Sequence, residues 1–193
     1  MAAAATERSY CAQPSTPLLQ GVVSRKTHGA AGSFGVNLPL SGTPGIECRS
    51  GGATNDYTIA LNFLANVSVN GNPQAAVTSG IGAIGSGGVS NGGMVMTSGN
   101  VVTIPLTNVA NAQTINVTLN NVNGSTNVTI AMGVLIGDVN GNGAVNASDV
   151  ALSKSRSGQP VDPITFRSDV SAEGNINPSD VALVKSLAGT GLP

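Results

Sequence analysis

The stretch "DVNGNGAVNASD", residues 138 to 149, carries oxygen-bearing side chains at alternate places around a central glycine. Counted from Asp138, position 3 is Asn140, position 5 Asn142, position 6 Gly143, position 9 Asn146 and position 12 Asp149. That is the ligand rhythm of a twelve-residue calcium loop. Calcium is a hard cation that takes about six to eight oxygens, and alternate residues of a curled loop point toward one centre. Ala144, at position 7, offers its backbone carbonyl. Gly143 permits the sharp turn because glycine accepts a positive φ. Asp149 closes the sphere from the first turn of a following helix.

The pattern returns 31 residues later. Aligning "DVNGNGAVNASDVALSKS" with "DVSAEGNINPSDVALVKS" gives 11 identities in 18. The ligand positions of the second copy hold Asp169, Ser171, Glu173, the Asn175 carbonyl, Asn177 and Asp180, with Gly174 at the turn. Of the chain's nine Asp and Glu residues, five (Asp138, Asp149, Asp169, Glu173 and Asp180) fall on ligand positions. A generic solvated surface would scatter them. Two Asn- and Gly-rich turns capping short helices would use similar residues, but would not need the glycines and carboxylates in register. Two bound calcium ions are therefore expected. Loop two brings three carboxylates to loop one's two, which favours tighter binding there, while short Ser171 and long Glu173 oppose it by geometry.

Residues 137–193 resemble a type I dockerin domain, with two loop–helix repeats and Asp at both position 1 and position 12. The resemblance covers about 57 of 193 residues. It implies two calcium ions, a pair of antiparallel helices and a cohesin-type protein partner. In that family positions 10 and 11 face the partner; here they are Ala147-Ser148 and Pro178-Ser179. With Lys154 and Lys185 they form the expected partner-binding face. The partner is a separate cohesin-like domain, another copy of this chain or the chain's own N-terminal domain.

The 136 residues before the loops have another texture, rich in Gly, Asn, Thr, Val and Ser. Short alternating runs recur: "SFGVNLPL", "NDYTIALNF", "VSVNG", "AAVTS", "GMVMTS", "NVVTIPL", "QTINVTLN" and "NVTIAMGVL". In "TINVTL", Ile115, Val117 and Leu119 share one face, the period of a half-buried antiparallel strand. Turn signals such as "NGNP" and "NNVNGS" separate the runs. Eight to ten short strands predict an antiparallel β-sandwich over 1–136, packed against the dockerin-like pair at 137–193 with no linker between. The fold class is mainly β with a small α part, and the arrangement resembles secreted bacterial proteins with an Ig-like or cohesin-like sandwich before such a tail.

Only 9% of residues are charged and the formal net charge is −1, which leaves no basic stripe for nucleic acid. No apolar run reaches the length of a membrane span. "MAAAATERSY" lacks the apolar centre of a signal peptide, so the sequence reads as a mature form or a piece of a longer protein. Cys11 and Cys48 are the only cysteines. A disulfide between them would close a loop worth roughly 3–4 kcal/mol and tie down the irregular segment 1–17. With the calcium loops it points to an extracellular or cell-surface setting.

Catalytic signals are weak. His28 is the only histidine, and a lone His is more often a surface or strand-end residue than a general base. Ser90 sits in "GVSNG", formally a nucleophile elbow, and "GIGAIG" formally matches a dinucleotide fingerprint. Neither is followed by a helical pattern. A calcium-dependent hydrolase of esters or phosphoesters, with a metal near Asp138 or Asp169 and His28 close by, is one alternative function. A carbohydrate-binding or self-assembling surface-layer module is another, although a chain without Trp has little from which to build a sugar platform.

Overall fold

The computed structural model describes residues 17–193. Eleven strands precede two helices: β1 (Leu19–His28), β2 (Gly32–Asn37), β3 (Gly45–Glu47), β4 (Tyr57–Phe63), β5 (Ala75–Ser79), β6 (Ala83–Ser86), β7 (Val89–Ser90), β8 (Met96–Ser98), β9 (Val101–Thr107), β10 (Gln113–Val122), β11 (Thr126–Val134), α1 (Ala147–Arg156) and α2 (Pro178–Ser186). The strands form two sheets. One runs β2-β1-β4-β9-β6-β7, with β8 also paired to β9; the other runs β3-β11-β10-β5.

Alternation puts apolar side chains on the inner face of each sheet. Ile59, Leu61 and Phe63 from β4 and Val102, Ile104 and Leu106 from β9 meet Ile115, Val117 and Leu119 from β10 and Ile130 and Met132 from β11. All are sealed from solvent. Full burial of one such aliphatic side chain contributes about 1.5–3 kcal/mol, so this shared layer holds the sheets face to face.

Three strand expectations need correction. The sandwich is not wholly antiparallel, because β3 runs parallel to β11 through Gly45–Met132, Ile46–Gly133 and Glu47–Val134. "VSVNG" forms no strand and contributes one isolated bridge, Val69 to Val122. Strand β1 lay outside the alternating apolar runs. It does alternate, but its buried residues are Val22, Ser24 and His28, so polar groups hide the period.

The segment after β11 does not swing free. A second core gathers Ile46 and Leu135 from the sandwich side with Val139, Val145, Val170 and Val184 from the C-terminal side. The Ser50 amide donates to the Val170 carbonyl at 2.7 Å, and the Gly137 amide to Cys48 at 2.9 Å. Cys48 is buried and unpaired among the described residues, its thiol pushed up to about 11 by burial, with its Sγ 3.6 Å from the Arg167 carbonyl. Its expected partner, Cys11, lies outside the described residues.

Candidate calcium loops

Each loop curls around its first aspartate. Asp138 is completely buried. Its Oδ1 accepts from the amides of Gly141 (2.9 Å) and Asn142 (3.1 Å), and its Oδ2 from Gly143 (2.9 Å). Asn140 Oδ1 accepts from the Asn142 amide and Asn142 Oδ1 from the Ala144 amide, both at 3.0 Å. Gly143 has φ +88°, the turn its position required. Position 12 closes the ring: Asp149 Oδ1 accepts from the Asn140 amide at 3.2 Å and Oδ2 from the Asn146 amide at 3.0 Å.

The same residues start the helices. Asn146 caps α1 and Asn177 caps α2, each in a reciprocal capping box with the aspartate three residues on, and Pro178 occupies the first turn of α2. A helix N-terminus carries partial positive charge, which favours Asp149 and Asp180 where they stand. Ser148 Oγ donates to Asn146 Oδ1 and Ser179 Oγ to Asn177 Oδ1. Both hydroxyls brace their loops from the exposed face.

Loop two repeats the frame around Asp169, which accepts from the amides of Glu173 (3.2 Å) and Gly174 (2.8 Å). Asp180 accepts from the amides of Ser171 (2.9 Å) and Asn177 (3.0 Å). Two departures follow. Glu173 engages the Asn177 amide group, and among the described residues no three Asp, Glu, His or Cys side chains converge. The third carboxylate therefore does not join Asp169 and Asp180. Asp169 also has a partner from the sandwich, His28, whose Nδ1 lies 2.7 Å from its Oδ2. Burial raises the Asp169 carboxyl, but the His28 and Gly174 hydrogen bonds outweigh it and hold the group below the usual carboxylate range.

The donor set fits a hard cation. Asp138, Asp149 and Asp180 are sealed from solvent, and neither the Arg49–Glu47 ion pair nor the His28–Asp169 hydrogen bond among the described residues involves them. A buried carboxylate needs a counter-charge or a metal. In loop one, Asp138, Asn140, Asn142, the Ala144 carbonyl, Asn146 and Asp149 could hold the ion. In loop two, Asp169, Ser171, the Asn175 carbonyl, Asn177 and Asp180 could do so, with Glu173 free to swing in.

The helices carry a different surface. Val150, Lys154, Ser157, Pro178, Val181, Ala182 and Lys185 line an open groove of about 680 Å³ between α1 and α2. Ala147, Ser148, Lys154, Pro178, Ser179 and Lys185 are all exposed.

Of the catalytic candidates, His28 meets Asp169 but His28 and Ser90 are not brought together. His28, on β1, is completely buried. Ser90 lies on β7, four strand spacings across the sheet. The elbow reading fails on topology: Gly87 and Gly88 turn a β6–β7 hairpin, and the next element is strand β8. No aromatic ring is exposed among the described residues.

Two loop–helix repeats follow a two-sheet, β-rich region. Residues 136–187 match the model of the dockerin type I domain, a calcium-dependent protein-docking module that takes cohesin partners. Neither the curated proteins nor the solved structures contain a match to the chain. No helix among the described residues is long and apolar enough to cross a membrane.

Sequence reasoning missed Arg49, Glu47 and Arg167. Arg167 donates to the carbonyls of Asp138 (2.8 Å), Val139 (2.9 Å) and Ile46 (3.0 Å), fastening loop one to β3. The one available signal was scarcity: in a chain with so few charges, each is a candidate for a built interaction.

Proposed function

We propose that residues 137–193 are a docking unit ordered by two calcium ions, and that residues 1–136 are the scaffold that carries it outside a bacterial cell. The observation that carries this reading is the pair of loops, each with two buried carboxylates at positions 1 and 12. The cation supplies the positive charge those carboxylates otherwise lack. Its uptake fixes both loops, and the capping boxes then set the directions of α1 and α2.

The groove between the helices is the docking surface. Its lining combines apolar Val150, Val181 and Ala182 with Lys154 and Lys185. That surface fits a cohesin-like domain presenting an apolar patch with an acidic rim. Loop two touches the sandwich at His28 and Gly29 while the groove is lined by residues of the helices and Ser157 alone, so a structural role for calcium and a docking role for the helices coexist.

Light scattering on mixtures with purified cohesin domains, in millimolar calcium and then in chelator, tests the reading. A one-to-one complex is expected in calcium alone, and Val181→Asp should remove it without lowering the melting temperature. A complex that survives chelator would overturn calcium control. Monomers throughout would leave calcium a structural role only.

A further inference from the structure

We propose that the second calcium loop is completed from outside itself. His28 of β1 is the positioning residue for Asp169, and through Arg49 and Glu47 it couples a cation in that loop to the sandwich. This rests on the reading of the loops given above.

The proton positions follow from chemistry. His28 Nε2 lies 3.0 Å from Arg49 Nη1. A guanidinium has donors and no acceptor, so Nε2 must accept and Nδ1 must carry the proton. Nδ1–H then donates to Asp169 Oδ2 at 2.7 Å. The ring is fixed from the other side as well, edge-on to Phe34 (centroids 5.3 Å apart) and Phe166 (6.1 Å), which stack on each other.

Arg49 is itself held at every nitrogen. Nε and Nη2 reach Glu47 Oε1 (2.7 Å) and Oε2 (2.6 Å), Nη1 reaches the Phe34 carbonyl, and Nη2 the Ser24 carbonyl. Ser24 Oγ donates to Glu47 Oε2 at 2.5 Å. The chain Glu47–Arg49–His28–Asp169 thus runs unbroken through buried side chains.

The backbones meet at the same place. A Cβ on Gly29 would strike the Glu173 carbonyl, and one on Gly174 would sit 2.7 Å from the His28 carbonyl. The end of β1 is therefore seated directly on positions 5 and 6 of loop two. Among the described residues the Asp138 carboxylate has no such partner and accepts from amides of its own loop. A hydrogen-bond partner that orients a ligating group is worth on the order of 10–100-fold in metal affinity. Loop two receives that support from the sandwich.

The test uses the full chain in two-site calcium calorimetry, with Asp138→Ala assigning the remaining site to loop two. His28→Phe keeps the aromatic packing and removes both ring hydrogen bonds. It should weaken loop two about 10–100-fold and leave loop one unchanged. His28→Gln, which keeps a donor and an acceptor, should recover most of the loss. A second measurement needs no variant. As the only histidine, His28 gives imidazole ¹⁵N signals that need no assignment, and these should move as loop two fills. A folded His28→Phe variant with both affinities intact overturns the inference, as do ring signals that stay still while two ions bind. A wild-type chain that binds no calcium overturns the loop reading as well.

Discussion

Loop one and loop two share 11 of 18 residues, yet the aspartates at their first positions live in different surroundings. Asp138 is held by three amides of its own loop, and the nearest outside anchor, Arg167, grips its backbone carbonyl. Asp169 is held by two amides and the Ser171 hydroxyl of its own loop and by an imidazole 141 residues away in sequence. Loop one is thus built locally, and loop two is partly built by the sandwich. A motif fixes which atoms can reach a cation. What stands behind those atoms decides how firmly they are held.

The largest effect should come from removing both first-position carboxylates. In the Asp138→Ala, Asp169→Ala double variant, the melting temperature in millimolar calcium should fall to its value in chelator. Each loop then forfeits its binding-linked stabilisation, about 3–4 kcal/mol when calcium stands at 100–1,000 times the dissociation constant. A calcium-dependent rise that persists in the double variant would sink the assignment of both loops.

Next in size is Glu47→Gln. Arg49 would be left buried without its counter-charge, a loss of about 3–5 kcal/mol readable by denaturant unfolding at neutral pH. Burial alone would raise the Glu47 carboxyl, but the hydrogen bonds and charge of Arg49 outweigh it and hold the group below its ordinary value of 4.5. A depressed folded value means that the stabilisation is fully present above 4.5 and is lost as pH falls through the lower folded value. The gap between wild type and Glu47→Gln should therefore close on acidification. A gap that stays constant to pH 2 would contradict the charged pair. In calcium, the same variant should weaken loop two more than loop one.

This asymmetry marks how far the sequence could be read. The loops were legible because their ligands lie within twelve residues and recur, and β10 was legible because Ile115, Val117 and Leu119 alternate toward the core. The seam was not. Its inward residues on β1 are Ser24 and His28, polar groups that break an apolar pattern while keeping its period. Their partners Glu47 and Arg49 sit in "IECRS", where every residue from Ile46 to Arg49 is buried. No local spacing announces a bond between residues 28 and 169. The third carboxylate of loop two shows a related limit: Glu173 counts toward charge, but where its long side chain rests, against Asn177, is not written in the spacing.

A smaller change should narrow the gap between the loops from the other side. Asn142→Asp gives loop one a third carboxylate at position 5, where the shorter side chain stays within the curl. Charge count tunes affinity in such loops, so loop one should tighten about tenfold. Calorimetry that finds loop one no tighter would mean that charge is not what limits it.

The smallest effect separates what the loops share from what they do not. Asn146 and Asn177 cap α1 and α2 through the same hydrogen bonds, 2.8 Å to the Ser148 amide and 2.7 Å to the Ser179 amide. Their caps depend on local backbone and not on the sandwich. In chelator, Asn146→Ala and Asn177→Ala should each cost about 1 kcal/mol, and nearly the same amount. In calcium, both costs should grow, because position 9 is then a ligand position as well as a cap. Growth at Asn146 and none at Asn177 would mean that loop two, braced by His28, does not use its ninth residue for the ion. The resemblance between the two repeats would then end at the helix caps.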